Sequence, residues 1–281
     1  QLKQRDPALA VTVLERRDGA APDAAFKVGE STVEIGAHYF AETLGLREHL
    51  ERDQIRKFGF RFFFSEGSDD PARCTELGVS ELLPTPSWQL DRGRFENFLG
   101  ERALELGVDF RHGAVVRTID LADDGGMHRV GFDLDGASHA LRARWVVDAA
   151  GRAGLIKRKL GLAESNDHDA NAAWWRVDGH IDLDAWADAG NWRTRFQPAE
   201  RWKSTNHLCG PGYWFWLIPL ASDSHSLGIV CDAKMHPLET MNTHEKAMDW
   251  LRLHQPRAAE ALERPQHRLQ DFLFLRHFSH G

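Results

Sequence analysis

The chain has 281 residues, with 42% hydrophobic and 27% charged side chains and a formal net charge of −7. This composition is typical of a globular protein and leaves room for one large domain or two modest ones. No apolar run approaches the ~18 residues of a membrane span, and no basic patch of a nucleic-acid-binding protein is present. The three cysteines lie far apart and predict neither disulfides nor a zinc site. Without a signal peptide, this favours the cytoplasm.

The first predicted strand is a continuous apolar and β-branched run at residues 10–14. Such a run is typical of a strand buried on both faces of a parallel sheet. It ends at Glu15, and an acid at the end of the second strand of a dinucleotide-binding unit hydrogen-bonds the adenosine ribose. The Gly-rich phosphate loop lies about 20 residues upstream of that acid, but only 14 residues precede Glu15. We therefore expect the chain to begin after the loop, unless the strand merely happens to end in glutamate.

A helix followed by three strands is predicted in the middle of the chain. Apolar residues at helical spacing from Phe95 to Leu106 predict the helix, and Gly107 ends it. Strand-like runs follow at residues 114–119, 128–134 and 143–147, with typical turn sequences between them. We expect a β-meander that closes on a buried strand ending at residues 148–151, where glycine lets the backbone approach a ligand.

The last part of the chain is rich in tryptophan. Eight of the ten tryptophans follow residue 166. This favours a second region that forms the wall of a pocket for a planar or apolar substrate. A tryptophan-rich core would explain most of these residues equally well. The fifteen histidines show no pair with metal-ligand spacing, so we expect no metal site.

Three short motifs carry the functional signal. They are residues 26–32 (FKVGEST), Lys57 at the head of the alternation Phe58, Phe60 and Phe62, and residues 214–219, which fit WxWxIP. With these motifs, in this order after the strand that ends in Glu15, the chain resembles the flavin-dependent halogenases. That group includes the tryptophan, phenol and pyrrole halogenases. The resemblance extends over essentially the whole chain.

The resemblance implies an α/β fold, the FAD/NAD(P)-binding, Rossmann-like fold of flavoprotein monooxygenases, with a β-meander and a mixed-sheet, tryptophan-rich substrate region. The FAD-binding part would comprise residues 1–36 and 88–165, and the substrate part residues 37–87 and 166–281. A Gly-rich loop before residue 1, and a Gly-Asp segment and a halide loop after residue 281, would complete the sites. We therefore expect this chain alone to bind FAD poorly and to be inactive.

The resemblance also assigns roles to single residues. Those implied to contact FAD are Glu15 and Arg16 at the ribose, Val28, Gly29, Glu30, Ser31 and Thr32 in a strap loop that links the flavin and substrate sites, and Arg92, Val116, Asp148 and Gly151. Lys57 corresponds to the catalytic lysine of the family. Those implied to line the substrate pocket or shield the flavin are Phe58, Phe60, Phe62, Trp214, Trp216, Ile218 and Pro219.

The chemistry of the family explains these residue types. Reduced FAD and oxygen convert halide into hypohalous acid, which travels through a tunnel to an electron-rich ring. A desolvated lysine can hydrogen-bond and polarise that acid or, as a neutral amine, form a haloamine. The phenylalanines after Lys57 would lower the local dielectric and favour the neutral amine. Alternation puts Trp214, Trp216 and Ile218 on one face of a strand, where the indoles would keep organic substrate from the flavin, and Pro219 would lie near the strand end.

The resemblance thus implies an FAD-dependent halogenase acting on an aromatic or pyrrolic substrate, free or bound to a carrier protein. A separate flavin reductase would supply reduced FAD, and halide would be the co-substrate. A monooxygenase or dehydrogenase of the same fold, acting directly at the flavin, stays open because the run 58–64 is unusually rich in phenylalanine. A non-catalytic flavoprotein scaffold is a third alternative. Lys57 could also be a surface lysine, and Trp214 and Trp216 could be core residues.

Overall fold

The computed structural model describes residues 1–22, 28–65, 70–123, 125–165, 167–187, 190–196 and 199–278. These residues form two compact units. Unit 1 contains the described residues of 1–22 and 95–165, and unit 2 contains those of 28–94 and 167–278. The division into FAD and substrate segments stays a prediction. Within the described ranges, no helix combines the length and the apolar composition needed to cross a membrane.

The helices are α1 (Leu2–Arg5), α2 (Glu34–His38), which continues as a π-helical turn over Tyr39–Thr43, α3 (Arg47–Asp53), α4 (Arg92–Glu105), α5 (Leu155–Lys159), α6 (Gly190–Arg193), α7 (His244–His254) and α8 (Pro256–Leu262). The strands are β1 (Thr12–Leu14), β2 (Ile55–Arg56), β3 (Phe60–Phe64), β4 (Thr75–Gly78), β5 (Trp88–Gln89), β6 (Asp109–Arg111), β7 (Val115–Asp120), β8 (His128–Leu134), β9 (Ala137–Ala143), β10 (Ala170–Asp178), β11 (Thr205–Gly210), β12 (Tyr213–Leu220), β13 (Ser224–Asp232) and β14 (Leu269–Leu275).

The first strand of unit 1 is shorter and more exposed than predicted. β1 pairs with β6 in a two-stranded parallel sheet, with Thr12 opposite Asp109 and Leu14 opposite Arg111. The parallel pairing is confirmed. Burial on both faces is wrong, because Thr12 is exposed and Val13 and Leu14 are only half-buried. In the described part of the chain β6 is its one neighbouring strand, and two strands do not enclose an apolar run.

A three-stranded antiparallel meander, β7–β8–β9, follows α4 in the chain, as predicted. The predicted helix is also confirmed: α4 ends at Glu105, and Gly107 follows with a φ of +80°. Glycine suits that position because the left-handed conformation carries no Cβ penalty there. β8 has the predicted bounds, and β7 lies one residue later than predicted.

The third strand of the meander differs from the prediction. It is β9, over residues 137–143, and not the run 143–147. Asp135 and Gly136 both have positive φ, so they form a two-residue turn that pairs Leu134 with Ala137 and returns the chain at once. Residues 144–150 form no strand, and Trp145 is 87% exposed. The predicted buried closing strand is therefore wrong, because no described strand lies beside this run to pair with it.

Unit 2 contains a mixed sheet of seven strands in the order β14-β10-β13-β12-β11-β3-β4. Neighbouring strands are antiparallel except β11 and β3, which are parallel. The mixed sheet predicted for the tryptophan-rich part is confirmed. Its interior strands β10 and β13 are buried along nearly their whole length. Apolar and small residues predominate in both, with Asn171, Arg176 and His225 as buried polar exceptions.

The two faces of this sheet differ in what they contact. One face, called the core face, packs against α7 and α8 and includes Trp175, Phe215, Leu217, Leu227 and Ile229. By strand alternation and register, the opposite face, called the site face, carries Phe60, Phe62, Thr205, His207, Trp216, Ser226, Arg176 and Asp271. Trp174 and Trp216 belong to the site face. Trp175, Trp186, Trp192 and Trp250 lie in the core of the core face, and Trp174 and Trp216 are buried in a second apolar cluster on the site face, so the tryptophan-rich core left open by the sequence accounts for all six.

Candidate functional site

The strap loop is fastened to unit 2 by side-chain hydrogen bonds. Phe26 and Lys27 of the predicted motif lie outside the described residues, whereas 28–32 are described. The hydroxyls of Ser31 and Thr205 are 2.6 Å apart. The Thr32 hydroxyl donates to the Trp88 carbonyl at 2.7 Å and accepts from the Trp88 N–H at 2.9 Å. These bonds hold the loop between the site face and β5.

Arg92, predicted to contact FAD, is bonded to the strap loop. Its Nη1 donates to the carbonyl of Val28 at 2.8 Å and of Gly29 at 3.4 Å. Gly29 has a φ of +91°, and a Cβ there would lie 3.0 Å from that same Nη1. Glycine is therefore needed for the approach of the guanidinium to the loop. Arg92 sets the path of the loop through its carbonyl groups.

Glu30 of the strap loop belongs to a buried ionic cluster on the site face. It is 1% exposed and accepts from Nε and Nη2 of Arg176 at 3.3 and 3.2 Å. Arg176 Nη1 donates to Asp271 at 2.8 Å, and the Arg176 N–H donates to the other Asp271 oxygen at 2.8 Å. Burial raises the pKa of Glu30 to about 7, against the opposing effects of Arg176 and a hydrogen bond with Ser226. Arg176 and Asp271 were missed by the sequence reasoning, because only the sheet register brings them to the loop.

The raised pKa of Glu30 predicts that folding stability depends on pH. The folded-state pKa lies above the ordinary value of 4.5, so the folded state holds the proton more tightly, and this stabilisation is lost as pH rises from about 4.5 to about 7. In Glu30→Gln the free energy of unfolding should lack this decline, which amounts to roughly 3 kcal/mol at most. Urea unfolding of both proteins across that range measures the difference. Parallel pH profiles would contradict it.

Lys57 is a buried amine held by the strap loop. It is 3% exposed, and its backbone N–H donates to the Ser87 carbonyl at 2.9 Å. Its Nζ donates to the Thr32 carbonyl at 2.7 Å and lies 3.3 Å from the centroid of the Phe60 ring. Burial lowers the pKa of Lys57 to about 8, while the nearby Glu34 carboxylate opposes this shift. The structure thus excludes the alternative of a surface lysine.

The aromatic wall beside Lys57 consists of two phenylalanines and a histidine. Phe60 and Phe62 stack with ring centroids 6.3 Å apart, and His207 stacks on Phe62 at 4.9 Å. His207 lies opposite Phe62 on β3 and opposite Trp216 on β12. Burial first, and then the charge of Lys57, lowers the pKa of His207 to about 4, so this ring is neutral near pH 7. Only the register between strands reveals His207.

Phe58 does not continue this wall. It is 1% exposed, and the guanidinium of Arg61 lies 5.5 Å from its ring centroid. Arg61 points away from the site face because it alternates with Phe60 along β3. Gly59 between them has a φ of +67°, which breaks the extended geometry that the predicted alternation of three phenylalanines requires. The expected alternation is therefore confirmed for Phe60 and Phe62 and wrong for Phe58.

The WxWxIP run forms most of β12, and its predicted alternation is confirmed. Trp216 and Ile218 are buried on the site face, while Trp214 is 37% exposed. A Cβ on Gly228 would lie 2.2 Å from the Trp216 ring, so glycine there makes room for the indole. Pro219 precedes the last residue of the strand, beyond the β11–β12 pairing that ends at Leu217. Its missing N–H therefore costs no hydrogen bond on that edge.

A cavity of about 400 Å³ opens beside the aromatic wall. It is lined by Glu34, Gly59, Phe60, Phe62, Leu77, Gly78, Val79 and Leu83. Glu34 begins α2, and its carboxylate accepts from the Ser87 hydroxyl at 3.1 Å. An apolar cavity with one placed polar group is the usual form of a small-molecule site.

The remaining predicted FAD residues lie in unit 1. Glu15 is half-buried directly after β1, and its Oε1 accepts from the Arg17 N–H at 2.7 Å. Arg16 is exposed, and Val116 lies in β7. An acid at the carboxyl end of a parallel strand can accept a hydrogen bond from a ribose hydroxyl. The position of Glu15 therefore fits the predicted contact with the FAD ribose, which stays a prediction.

The Asp148–Gly151 turn has a structural role in unit 1. The Asp148 carboxylate accepts from the backbone N–H groups of Ala150 at 3.0 Å and Ile156 at 2.8 Å, and these bonds lower its pKa. Gly151 has a φ of +58°. A Cβ at Gly151 would meet no described atom within 4 Å. The side chain of Asp148 therefore stabilises the turn, and glycine suits position 151 because its φ is left-handed.

Known proteins resemble the chain in sequence and in structure. The family model described as tryptophan halogenase matches residues 76–270. The flavin-dependent halogenase chlA of Dictyostelium discoideum is 27% identical over 269 residues, covering 86% of this chain and 43% of the relative. A 1H-pyrrole-2-carbonyl-[peptidyl-carrier protein] brominase of Pseudoalteromonas luteoviolacea is 28% identical over 165 residues, covering 59% of this chain and 37% of the relative. The chain thus spans less than half the length of either relative.

The solved structure of halogenase PltM superposes with a TM-score of 0.76 at 20% identity, over 97% of this chain and 56% of that one. This likeness confirms the predicted flavoprotein fold. The residues that the family model matches include strands β10 to β13, which form most of the seven-stranded sheet of unit 2. The chain belongs to the tryptophan halogenase family of flavin-dependent halogenases.

Proposed function

We propose that the protein is an FAD-dependent halogenase. It uses reduced FAD, oxygen and halide to halogenate an electron-rich aromatic or pyrrolic substrate by way of hypohalous acid. The observation that carries this proposal is Lys57: a buried amine with a pKa of about 8, held by the strap loop at the edge of an aromatic wall. Within the described residues Lys57 forms no ion pair, and burying an unpaired lysine is costly; a lowered pKa of this kind marks functional sites.

FAD, when bound, supplies the reaction of oxygen with halide that makes hypohalous acid. Lys57 receives and orients that acid. One of the three donors of its ammonium group is used by the Thr32 carbonyl, which leaves donors for the oxygen of hypohalous acid. At neutral pH an amine of pKa about 8 is mainly protonated, which favours hydrogen bonding over haloamine formation. Phe60 and Phe62 keep water away, so the hydrogen bond is strengthened.

The tryptophans of β12 have a separate role in this proposal. Trp216 fills the space above Gly228 on the site face, and Trp214 stands partly exposed on the same side of the strand. Two indoles in a row form a barrier to organic molecules, while halide and hypohalous acid are small enough to pass. They would thereby keep substrate from reacting directly at the flavin.

The substrate class and the partners are part of the same proposal. The pyrrole brominase among the relatives acts on a carrier-bound pyrrole according to its name, which supports an aromatic or pyrrolic substrate, free or tethered to a carrier protein. A separate flavin reductase would supply reduced FAD, and bromide or chloride would serve as the halide. The cytoplasmic location predicted from the sequence stays a prediction.

The test is a halogenation assay of the holoenzyme with a flavin reductase, oxygen, bromide and a phenol or pyrrole probe. We expect a brominated product, detected by mass spectrometry, that requires FAD and bromide. Omission of bromide is the control. An oxygenated product that forms equally without bromide would instead support a monooxygenase acting at the flavin. The absence of both products in the presence of bound, reducible FAD would contradict the proposal.

A further inference from the structure

We infer that Glu34 is the residue that selects and orients the substrate, and that the preferred substrate is an electron-rich ring with an N–H or O–H donor. This inference rests on the proposed function. It begins from the cavity beside Phe60 and Phe62, whose volume of about 400 Å³ admits one or two aromatic rings. Glu34 is the one titratable residue among the described residues that line it.

Glu34 is placed to accept a hydrogen bond from a ring that is bound in the cavity. The other described side chains that line the cavity are apolar: two phenylalanines, two leucines and a valine. Burial of these apolar side chains against a planar ring stabilises binding of the ring. Apolar contacts alone do not fix the orientation of the ring. The Glu34 carboxylate is half-buried, and among the described residues it accepts from one side-chain donor, the Ser87 hydroxyl at 3.1 Å. Since an ionised carboxylate accepts up to about four hydrogen bonds, Glu34 has capacity for a donor on the substrate.

Glu34 and Lys57 share Phe60 as a neighbour. Phe60 connects them, because Lys57 Nζ lies 3.3 Å from the centroid of its ring and Phe60 also lines the cavity. The Glu34 charge acts on the Lys57 amine directly. We therefore place a ring whose donor binds Glu34 beside Phe60, whose own ring the Lys57 amine contacts.

The reaction balances with these two residues. A ring carbon attacks the halogen of hypohalous acid, the oxygen–halogen bond breaks, and the leaving hydroxide takes a proton from the Lys57 ammonium to form water. The ring then loses its carbon-bound proton to solvent, while the N–H or O–H group keeps its own proton in the hydrogen bond with the Glu34 carboxylate. The Lys57 amine regains a proton from solvent, so the sum is ring and hypohalous acid giving halogenated ring and water. Hypohalous acid is the oxidant, and the ring is oxidised to its halide.

The experiment compares a phenol with its methyl ether, anisole, which lacks the donor. In the Glu34→Gln holoenzyme we expect KM for phenol to rise about tenfold, as for loss of one charge-assisted hydrogen bond, and KM for anisole to stay unchanged. Calorimetric binding of phenol should weaken by the same factor. Glu48→Gln is the matched control, because the Glu48 side chain is 91% exposed on α3. Thermal unfolding of each variant verifies the fold.

Two outcomes would overturn the inference, and both differ from a failure of the proposed function. Equal changes for phenol and anisole, or no change for either, would remove Glu34 from substrate selection. A chemical trap for hypobromous acid is measured in parallel without an aromatic probe. If hypobromous acid forms in both proteins while phenol and anisole respond alike, only the inference on Glu34 fails. If none forms in the wild-type holoenzyme, the proposed function itself fails.

Discussion

Replacement of Lys57 by methionine is expected to abolish halogenation of the phenol or pyrrole probe, with a loss of about 10³-fold or more in kcat. Methionine keeps the packing against Phe60 but removes the donor that orients hypohalous acid. FAD binding and the formation of hypobromous acid should persist, since Lys57 acts after both. The measurements are steady-state bromination, flavin absorbance of the purified holoenzyme, and the chemical trap.

Lys203→Met is the control for this experiment. Lys203 also belongs to unit 2, but its side chain is 29% exposed and paired with Glu200, so its loss should leave bromination unchanged. Stability of Lys57→Met should change by only about 1 kcal/mol, because one hydrogen bond to the Thr32 carbonyl is lost and one buried charge is removed. Unchanged turnover in Lys57→Met would remove Lys57 from the mechanism.

The largest expected effect on stability belongs to Arg176. Arg176→Met leaves the carboxylates of Glu30 and Asp271 without their cation, and both are at least nine-tenths buried. Loss of one partner of a buried ion pair costs about 3–5 kcal/mol. Denaturant unfolding should show a fall of this size in the free energy of unfolding.

A second variant separates the lost cation from lost packing. Adding Glu30→Gln and Asp271→Asn to Arg176→Met removes the uncompensated charges, so part of the stability should return. Arg268→Met serves as the control, because the Arg268 side chain is 83% exposed in its pair with Asp178 and surface pairs contribute little. A loss no larger in Arg176→Met than in Arg268→Met would contradict the buried cluster.

Features that depend on neighbouring residues could be predicted from the sequence. The alternation of Trp214, Trp216 and Ile218 follows from the two-residue period of a strand, and the end of α4 follows from Gly107. Glu15 follows a parallel strand as expected. The strap motif, the run that begins at Lys57 and WxWxIP led to the resemblance because each can be read within a few consecutive residues, and the family model that matches residues 76–270 confirms the family.

Prediction from local sequence failed where strand pairing or a positive φ angle determines the structure. The run 143–147 (ARWVV) has the composition of a strand, yet the turn at Asp135 and Gly136 places the third meander strand before it. Phe58 departs from the expected alternation because Gly59 adopts a positive φ. Neither outcome is visible in hydrophobic periodicity, which assumes continuous extended backbone.

The environment of the candidate site was decided by contacts between distant segments. Glu30 and Arg176 are 146 residues apart in sequence, and Ser31 and Thr205 are 174 residues apart. His207 reaches Phe62 and Trp216 only through the register of β11 with β3 and β12. The sequence identified which residue types carry the chemistry. Their partners, burial and pKa values depend on which strands pair and in what register, because a shift of one residue would turn every one of these side chains to the other face of the sheet.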